Sequence, residues 1–432
     1  MNVIDATDAL RTQRTDFDSE KIAAKLFDDI ASFSADKTGV SRPAYSKTET
    51  KTLEYLEAFA LNLGLFVEYD AGQNAVFSLP KDAGATGYIL IGSHVDSVPN
   101  GGNFDGLAGV IAGLMCLARA NNEGTKFPRP VKVIAMRGEE SAWFGPCYIA
   151  SKALLGKLGE EELNAPHKED GETLFAHMDA IGVDMERVEK QIPLLNSKDV
   201  HSYIELHIEQ GPLLVEMGMP AAVISGIRGN IRYKKIRCNG EAGHSGAVPR
   251  AYRKDPVLAM ADLLSRLDES WLTILQKGED LVLTCGMVAT DPQKHALTRI
   301  PDLVDFSIDF RSQSAQALDE MRELLNQEIR TVARERKVRF DLDPEMHTSP
   351  ALCDAGMVEG LSAAMSRVSL EPFVMPSGGG HDAAVFANAG IPSAMVFVRN
   401  RNGSHNPDEA MEISDLIAGT DIIYEYLKGP VQ

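Results

Sequence analysis

Apolar residues recur at helical spacing in SEKIAAKLFDDIASFS and again in TETKTLEYLEAFALNLG, where Gly64 supplies a stop, so two amphipathic helices are predicted early in the chain. LFVEYD and NAVFSLP carry strand patterns, and Tyr88-Ile89-Leu90-Ile91 is a continuous apolar run of the kind found inside a sheet. A glycine-rich loop then leads into FDGLAGVIAGLMCLARANNEG, a predicted helix, and PVKVIAMRGEES is a short buried strand that runs into a polar turn. This alternation predicts an α/β domain with a mixed, mostly parallel sheet flanked by helices, and ligands belong at the carboxyl ends of such strands.

The texture changes at VISGIRGNIRYKKIRCNGEAGHSG, which is β-rich and punctuated by glycine. A helix in DPVLAMADLLSRLDESW, strands in DLVLTCGMVAT and DLVDFSIDFRS, and a long helix from about Ser314 to Arg336 follow. That order suits a small α+β sheet with helices on one side. The α/β texture then returns in VSLEPFVMPSGGGHDAAVFANAGIPSAMVFV. The predicted organisation is a discontinuous domain of residues 1–223 and 340–432, into which residues 224–339 are inserted.

Composition narrows the function classes. With 62 acidic against 43 basic residues, the net charge of −19 repels nucleic acid and anionic membrane. The longest apolar stretch, 107–120, is short for a bilayer, and the opening MNVIDATDALRTQRTD lacks a basic segment followed by an apolar run, so a cytoplasmic location is expected. Five scattered cysteines without a CxxC pair suggest neither a disulfide framework nor a thiolate cluster. No GxGxxG, GxSxG or P-loop arrangement offers a nucleotide or serine-hydrolase reading.

The chemistry concentrates at predicted strand ends. GSHVDSVPNGGNFDG places His94, Asp96 and Asp105 in one loop whose glycines allow a tight crossing, so His94 and Asp105 can converge. Asp96 is better placed to hold the far nitrogen of His94 than to act as another ligand. Alone, this loop serves equally as a glycine-rich turn. The adjacent Glu139 and Glu140 of RGEES could divide two tasks, one binding a metal and one facing water, or could be a solvated acidic pair. YIELHIEQGP adds His207 with Gln210, and NGSHNPDE adds His405. Histidines and carboxylates at four separate strand ends are harder to dismiss together, and their donor atoms suit Zn²⁺, Mn²⁺ or Co²⁺.

Taken in order, GSHVDSVPNGGNFDG, GEES, HIEQGP, GEAGHSG, DFSIDFR, SGGGHDA and GSHNPDE resemble the M20-type metallopeptidase superfamily. More narrowly, they resemble its amidase hydantoinase/carbamoylase branch of N-carbamoyl-L-amino-acid hydrolases, allantoate amidohydrolases and β-ureidopropionases. The resemblance implies two divalent metal ions per subunit, one on His94 and His207, the other on Glu140 and His405, with Asp105 bridging. It implies Glu139 as general base and later acid, and His244 as oxyanion donor. Arg311 is implied as the clamp on a substrate carboxylate, with Gln210, Thr298 and Gly380 as further substrate contacts and His381 and Asp382 in support. It also implies that the inserted domain is a lid and dimerisation domain, making a homodimer.

The chain departs from the branch at Trp143-Phe144, where an arginine-phenylalanine pair is common, at Thr298 in place of asparagine, and at Arg250 in place of methionine. Trp143 is expected to enlarge the apolar contact of the pocket, which favours an apolar substrate side chain. The complete metal set together with Arg311 makes N-carbamoyl-L-amino acids the leading substrate class. Allantoate, N-acyl-L-amino acids and a catalytically silent dimeric binding protein are the alternatives.

Overall fold

The computed structural model describes residues 18–429. The opening segment, on which the location was read, lies outside them. Two compact units divide the chain: one runs to Gly226 and resumes at Leu352, and the other is Ile227–Ala351.

The first unit is built on a mixed sheet whose middle strands are Val131–Met136, Tyr88–His94, Val200–Ile208 and Ser393–Val398. Each is parallel to its neighbour. Tyr88–His94, Val131–Met136 and Ser393–Val398 are buried along their whole length, which their continuous apolar sequences require of strands covered on both faces. One face carries the helices Leu107–Glu123 and Ile413–Lys428, packed on Ile91, Val133, Leu206 and Val396. On the other, the ring of Phe386 from the helix Asp382–Asn388 stacks on Tyr203 at 4.0 Å. The predicted α/β class is the class observed. Parallel register sets His94 beside Met136 and Val398 beside Ile208, so the chain leaves all four strands at one edge of the sheet.

Ala221–Ile227 runs antiparallel to Ser393–Val398, with Ile224 opposite Met395. The expected boundary at residue 224 therefore falls inside a strand of the large sheet, and the chain changes unit at Ile227. The second boundary also moves, from 340 to beyond Ala351, because Arg339–Leu342 and Met346–Thr348 both pair with Gly229–Asn239 of the smaller unit.

In that smaller unit, burial alternates along Leu303–Ser312. Val304, Phe306, Ile308 and Phe310 face the helices Pro256–Gln276 and Ala315–Arg336, the one-sided arrangement expected. DLVLTCGMVAT forms two short strands rather than one, Val282–Thr284 and Val288–Ala289. They pair with separate stretches of Leu303–Ser312. No helix among the described residues is long and apolar enough to cross a membrane.

Gly109 sets how closely the helix Leu107–Glu123 lies on the sheet, since an added Cβ would stand 2.1 Å from the carbonyl oxygen of Leu206. Gly109→Ala is expected to cost about 1–3 kcal/mol through forced backbone shifts. Denaturant unfolding measures it, and an unchanged midpoint would show that the helix can lift without penalty.

Candidate metal centre

His94 is the last residue of its strand, and Glu139 and Glu140 follow the parallel neighbour Val131–Met136. Asp96 ties the two exits together. Its carboxylate accepts the backbone N–H of Glu139 at 2.9 Å and of Glu140 at 3.0 Å, and lies 3.2 Å from His94 Nδ1. One buried aspartate thus orients a histidine and both glutamates. Behind the turn, Glu49 accepts from the N–H of Gly138 and from the Arg137 guanidinium. Glu49 lies on an otherwise ordinary helix, Lys47–Asn62, and nothing in its sequence surroundings points to the site.

Asp105 occupies the centre. Its Oδ1 lies 3.5 Å from His94 Nε2 and 3.0 Å from His207 Nε2. Its Oδ2 lies 3.4 Å from His405 Nε2, which is 3.2 Å from Glu140 Oε1. The two carboxylate oxygens therefore face two separate donor sets. Glu139 borders the first, with Oε2 3.9 Å from His94 Nε2. The tight crossing needs Gly106, at φ +66°, because an added Cβ would stand 2.4 Å from the His94 ring. All five residues expected to hold metal, and Glu139, thus come together.

Two residues that sequence reasoning missed fix Asp105 in place. Glu409 accepts the backbone N–H groups of Phe104 and Asp105, and the Ser404 hydroxyl bonds both Glu409 and Asp105. Both lie in NGSHNPDE, but an acidic residue four positions after a histidine carries no signal of a partner some 300 positions earlier. Gln210, expected at the substrate, donates to Asp105 Oδ2 at 2.7 Å. His381 packs edge-on to His207 at 4.4 Å and its Nε2 meets the Ser377 hydroxyl. Asp382 accepts from Ser151. Gly380 makes its close approach to a protein side chain, since a Cβ there would run into the Tyr148 hydroxyl.

The smaller unit holds the remaining expected residues. His244 pairs with Arg299 across two short strands, and the neighbouring Ser245 N–H donates to the Thr298 carbonyl, so His244 and Thr298 are adjacent. Arg311 lies on Leu303–Ser312, where its guanidinium donates to Asp309. Trp143 does not widen a pocket as expected. It is buried in the larger unit, its indole N–H donates to the Ser97 carbonyl, and its ring stacks on His167. The preference for an apolar substrate loses that support.

The donor chemistry fits divalent cations. His207 Nδ1 lies 2.9 Å from the Ile208 carbonyl, which can only accept, so Nδ1 carries the hydrogen and Nε2 presents a lone pair to Asp105. His94 repeats this, with Nδ1 3.2 Å from the Asp96 carbonyl oxygen. Acceptor faces acceptor, a repulsive arrangement until a positive charge lies between them. Donors about 2.0–2.2 Å from one tetrahedral ion stand about 3.3–3.6 Å apart, close to the separations here.

In the metal-free chain protons take that place. Burial works against the charge on Asp105, yet His207, His405 and His94 hold its carboxyl well below the ordinary range. Hydrogen bonds to Asp105 and Glu140 raise His405 to about 10. Burial, with Glu140 adding to it and His94 opposing, lifts Glu139 well above the usual carboxylate range. A group raised to about 10 holds its proton at pH 7, so Zn²⁺ uptake at pH 7 is expected to release protons, less so as pH rises through 10. Calorimetry in buffers of different ionisation heat reads this directly; heats independent of buffer would contradict it.

The model of Peptidase family M20/M25/M40 matches residues 90–429. N-carbamoyl-L-amino acid amidohydrolase of Geobacillus stearothermophilus is 32% identical over 387 residues, covering 89% of this chain and 92% of that protein. Allantoate amidohydrolase of Escherichia coli (strain K12) is 31% identical over 392 residues, 90% of this chain and 93% of that one. A crystal structure of an amidase of the hydantoinase/carbamoylase family from Burkholderia multivorans matches with a TM-score of 0.84 at 26% identity, over 95% of this chain and 98% of that chain. With the family model matched from the strand that ends in His94 through the segment carrying His405, the chain belongs to peptidase family M20/M25/M40.

Proposed function

We propose that the chain is a metal-dependent hydrolase of amide and ureido C–N bonds, with N-carbamoyl-L-amino acids as its leading substrates. The observation that carries this reading is the Asp105 carboxylate, whose two oxygens face two His- and Glu-containing donor sets beside a buried Glu139. The names of the relatives supply the bond type, since both a carbamoyl amino acid and allantoate combine a ureido group with a carboxylate.

His94 and His207 would hold one divalent ion and His405 and Glu140 the other, with Asp105 between them. When bound, such a pair of ions supplies Lewis-acid chemistry, acidifying water and neutralising charge that develops on the attacked carbonyl. Glu139 takes a proton from the attacking water. The water oxygen bonds to the carbamoyl carbon, the C–N bond to the amino acid breaks, and Glu139 returns the proton to the departing nitrogen. The free amino acid leaves together with carbamic acid, which decomposes to ammonia and carbon dioxide. Asp96 keeps Glu139 in place through its backbone N–H, and Gln210 holds Asp105 while also facing the substrate in this reading.

Arg311 takes the substrate carboxylate through its planar fork of donors, His244 donates to the oxyanion, and Thr298 offers a short hydroxyl. The protein works as a cytoplasmic homodimer in this reading, with the smaller unit serving as lid and dimerisation domain.

A panel of N-carbamoyl-L-amino acids, allantoate and N-acyl-L-amino acids, assayed with Zn²⁺, Mn²⁺ or Co²⁺, tests the proposal. Amino acid and ammonia are expected from the first class, with kcat down about 10²–10⁴-fold in Glu139→Gln at unchanged metal content. Turnover of allantoate or N-acyl substrates alone would move the substrate assignment. A metal-loaded protein that hydrolyses none of them would put the substrate outside this panel or leave a binding role. Arg311→Lys is expected to raise KM for N-carbamoyl amino acids and leave carboxylate-free N-carbamoyl amines unaffected; equal effects on both would remove Arg311 from the substrate.

A further inference from the structure

Outside the centre described above, the larger unit brings His167, Asp170 and His177 together in a turn and the short helix that follows it, Leu174–Ala180. His167 Nδ1 lies 3.1 Å from Asp170 Oδ1, and His177 Nε2 lies 3.4 Å from the same oxygen. The imidazole centroids are 4.8 Å apart. We infer that these three side chains form a separate site for one divalent transition-metal ion of the zinc class.

Two independent observations carry the inference. The first is spacing, because both distances to Asp170 Oδ1 lie near the roughly 3.3 Å edge of a tetrahedron with bonds of about 2.0–2.1 Å. The second is a buried imidazole that makes no hydrogen bond, its Nδ1 meeting Asp170 Oδ1 at 3.1 Å as a charge contact alone. His167 is only 7% exposed and neither of its ring nitrogens makes a hydrogen bond, a cost that native structures seldom leave uncompensated. A hydrogen bond from His177 to Asp170 accounts for His177 alone. A cation shared by all three would give the Nδ1 lone pair of His167 a partner as well.

The surroundings suit a fastening role. Trp143 stacks on His167 with an interplanar angle of 17°, and Phe144 packs against both imidazoles. Trp143 is in turn bonded to Ser97, beside Asp96. A metal here would pin the turn containing Asp170 to the aromatic pair that follows Glu139 and Glu140. Asp170 is exposed, so the ion would keep one position open to water and exchange with solvent.

Zinc content of the full-length protein, after equilibrium dialysis at buffered free Zn²⁺, tests the site without reference to activity. His177→Ala and Asp170→Asn are each expected to hold one zinc per chain fewer than the unmodified protein. His94→Ala combined with His207→Ala is expected to keep that zinc. His177 is on a partly exposed helix where alanine is favourable, which protects folding. A second readout is quenching of Trp143 by Co²⁺ in a Trp271→Phe background, expected to survive the His94/His207 double variant and to disappear with His177→Ala. Equal zinc content in the unmodified protein and both site variants, or quenching that follows the His94/His207 pair instead, would overturn the inference.

Discussion

An ionised carboxylate surrounded by imidazole lone pairs and other carboxylates is unstable without cations, and the larger unit is organised around one such group. Asp105 is buried with histidine nitrogens on both of its oxygens. The hydrogen bonds on the far side of His94 and His207 fix which nitrogen faces inward. Desolvation makes each unpaired charge expensive, and the same desolvation makes the cluster a strong attractor for positive charge. The burial that would destabilise an empty acidic cluster is what gives this one its affinity.

Holding that arrangement needs the backbone as much as the ligands. Asp96 binds two successive amides at the end of one strand, and Glu409 binds two successive amides at the end of a loop. Each uses a carboxylate to fix peptide groups, so ligand positions are set by backbone that cannot rotate. Substitutions at these carboxylates act at a distance from the reacting atoms but change their geometry.

The strand ends were legible because an apolar run that stops at glycine, histidine and acidic residues marks, in an α/β chain, where a buried strand gives way to a ligand-bearing loop. His94, Asp105, Glu139, Glu140, His207 and His405 could all be picked out that way. Glu49, Ser404 and Glu409 could not, since their importance comes from partners distant in sequence and each looks like an ordinary polar residue locally. Trp143 shows a related limit. An aromatic residue beside a candidate site reads as pocket lining, and only packing reveals that its indole points into the protein. The second boundary was misplaced because Arg339–Leu342 and Met346–Thr348 are too short and too exposed to carry a clear pattern of their own.

The pairing of Glu409 with the amides of Phe104 and Asp105 spans 305 and 304 residues of chain. During synthesis on a ribosome, the loop that carries Asp105 emerges long before its anchor exists. The centre cannot be complete before Ser393–Val398, which pairs with Val200–Ile208, and the segment after it that carries His405 and Glu409 have been made. The nascent chain therefore carries a cation-seeking cluster short of His405 and of the Glu409 anchor for much of its translation. The segment that follows the last parallel strand supplies what makes the centre whole.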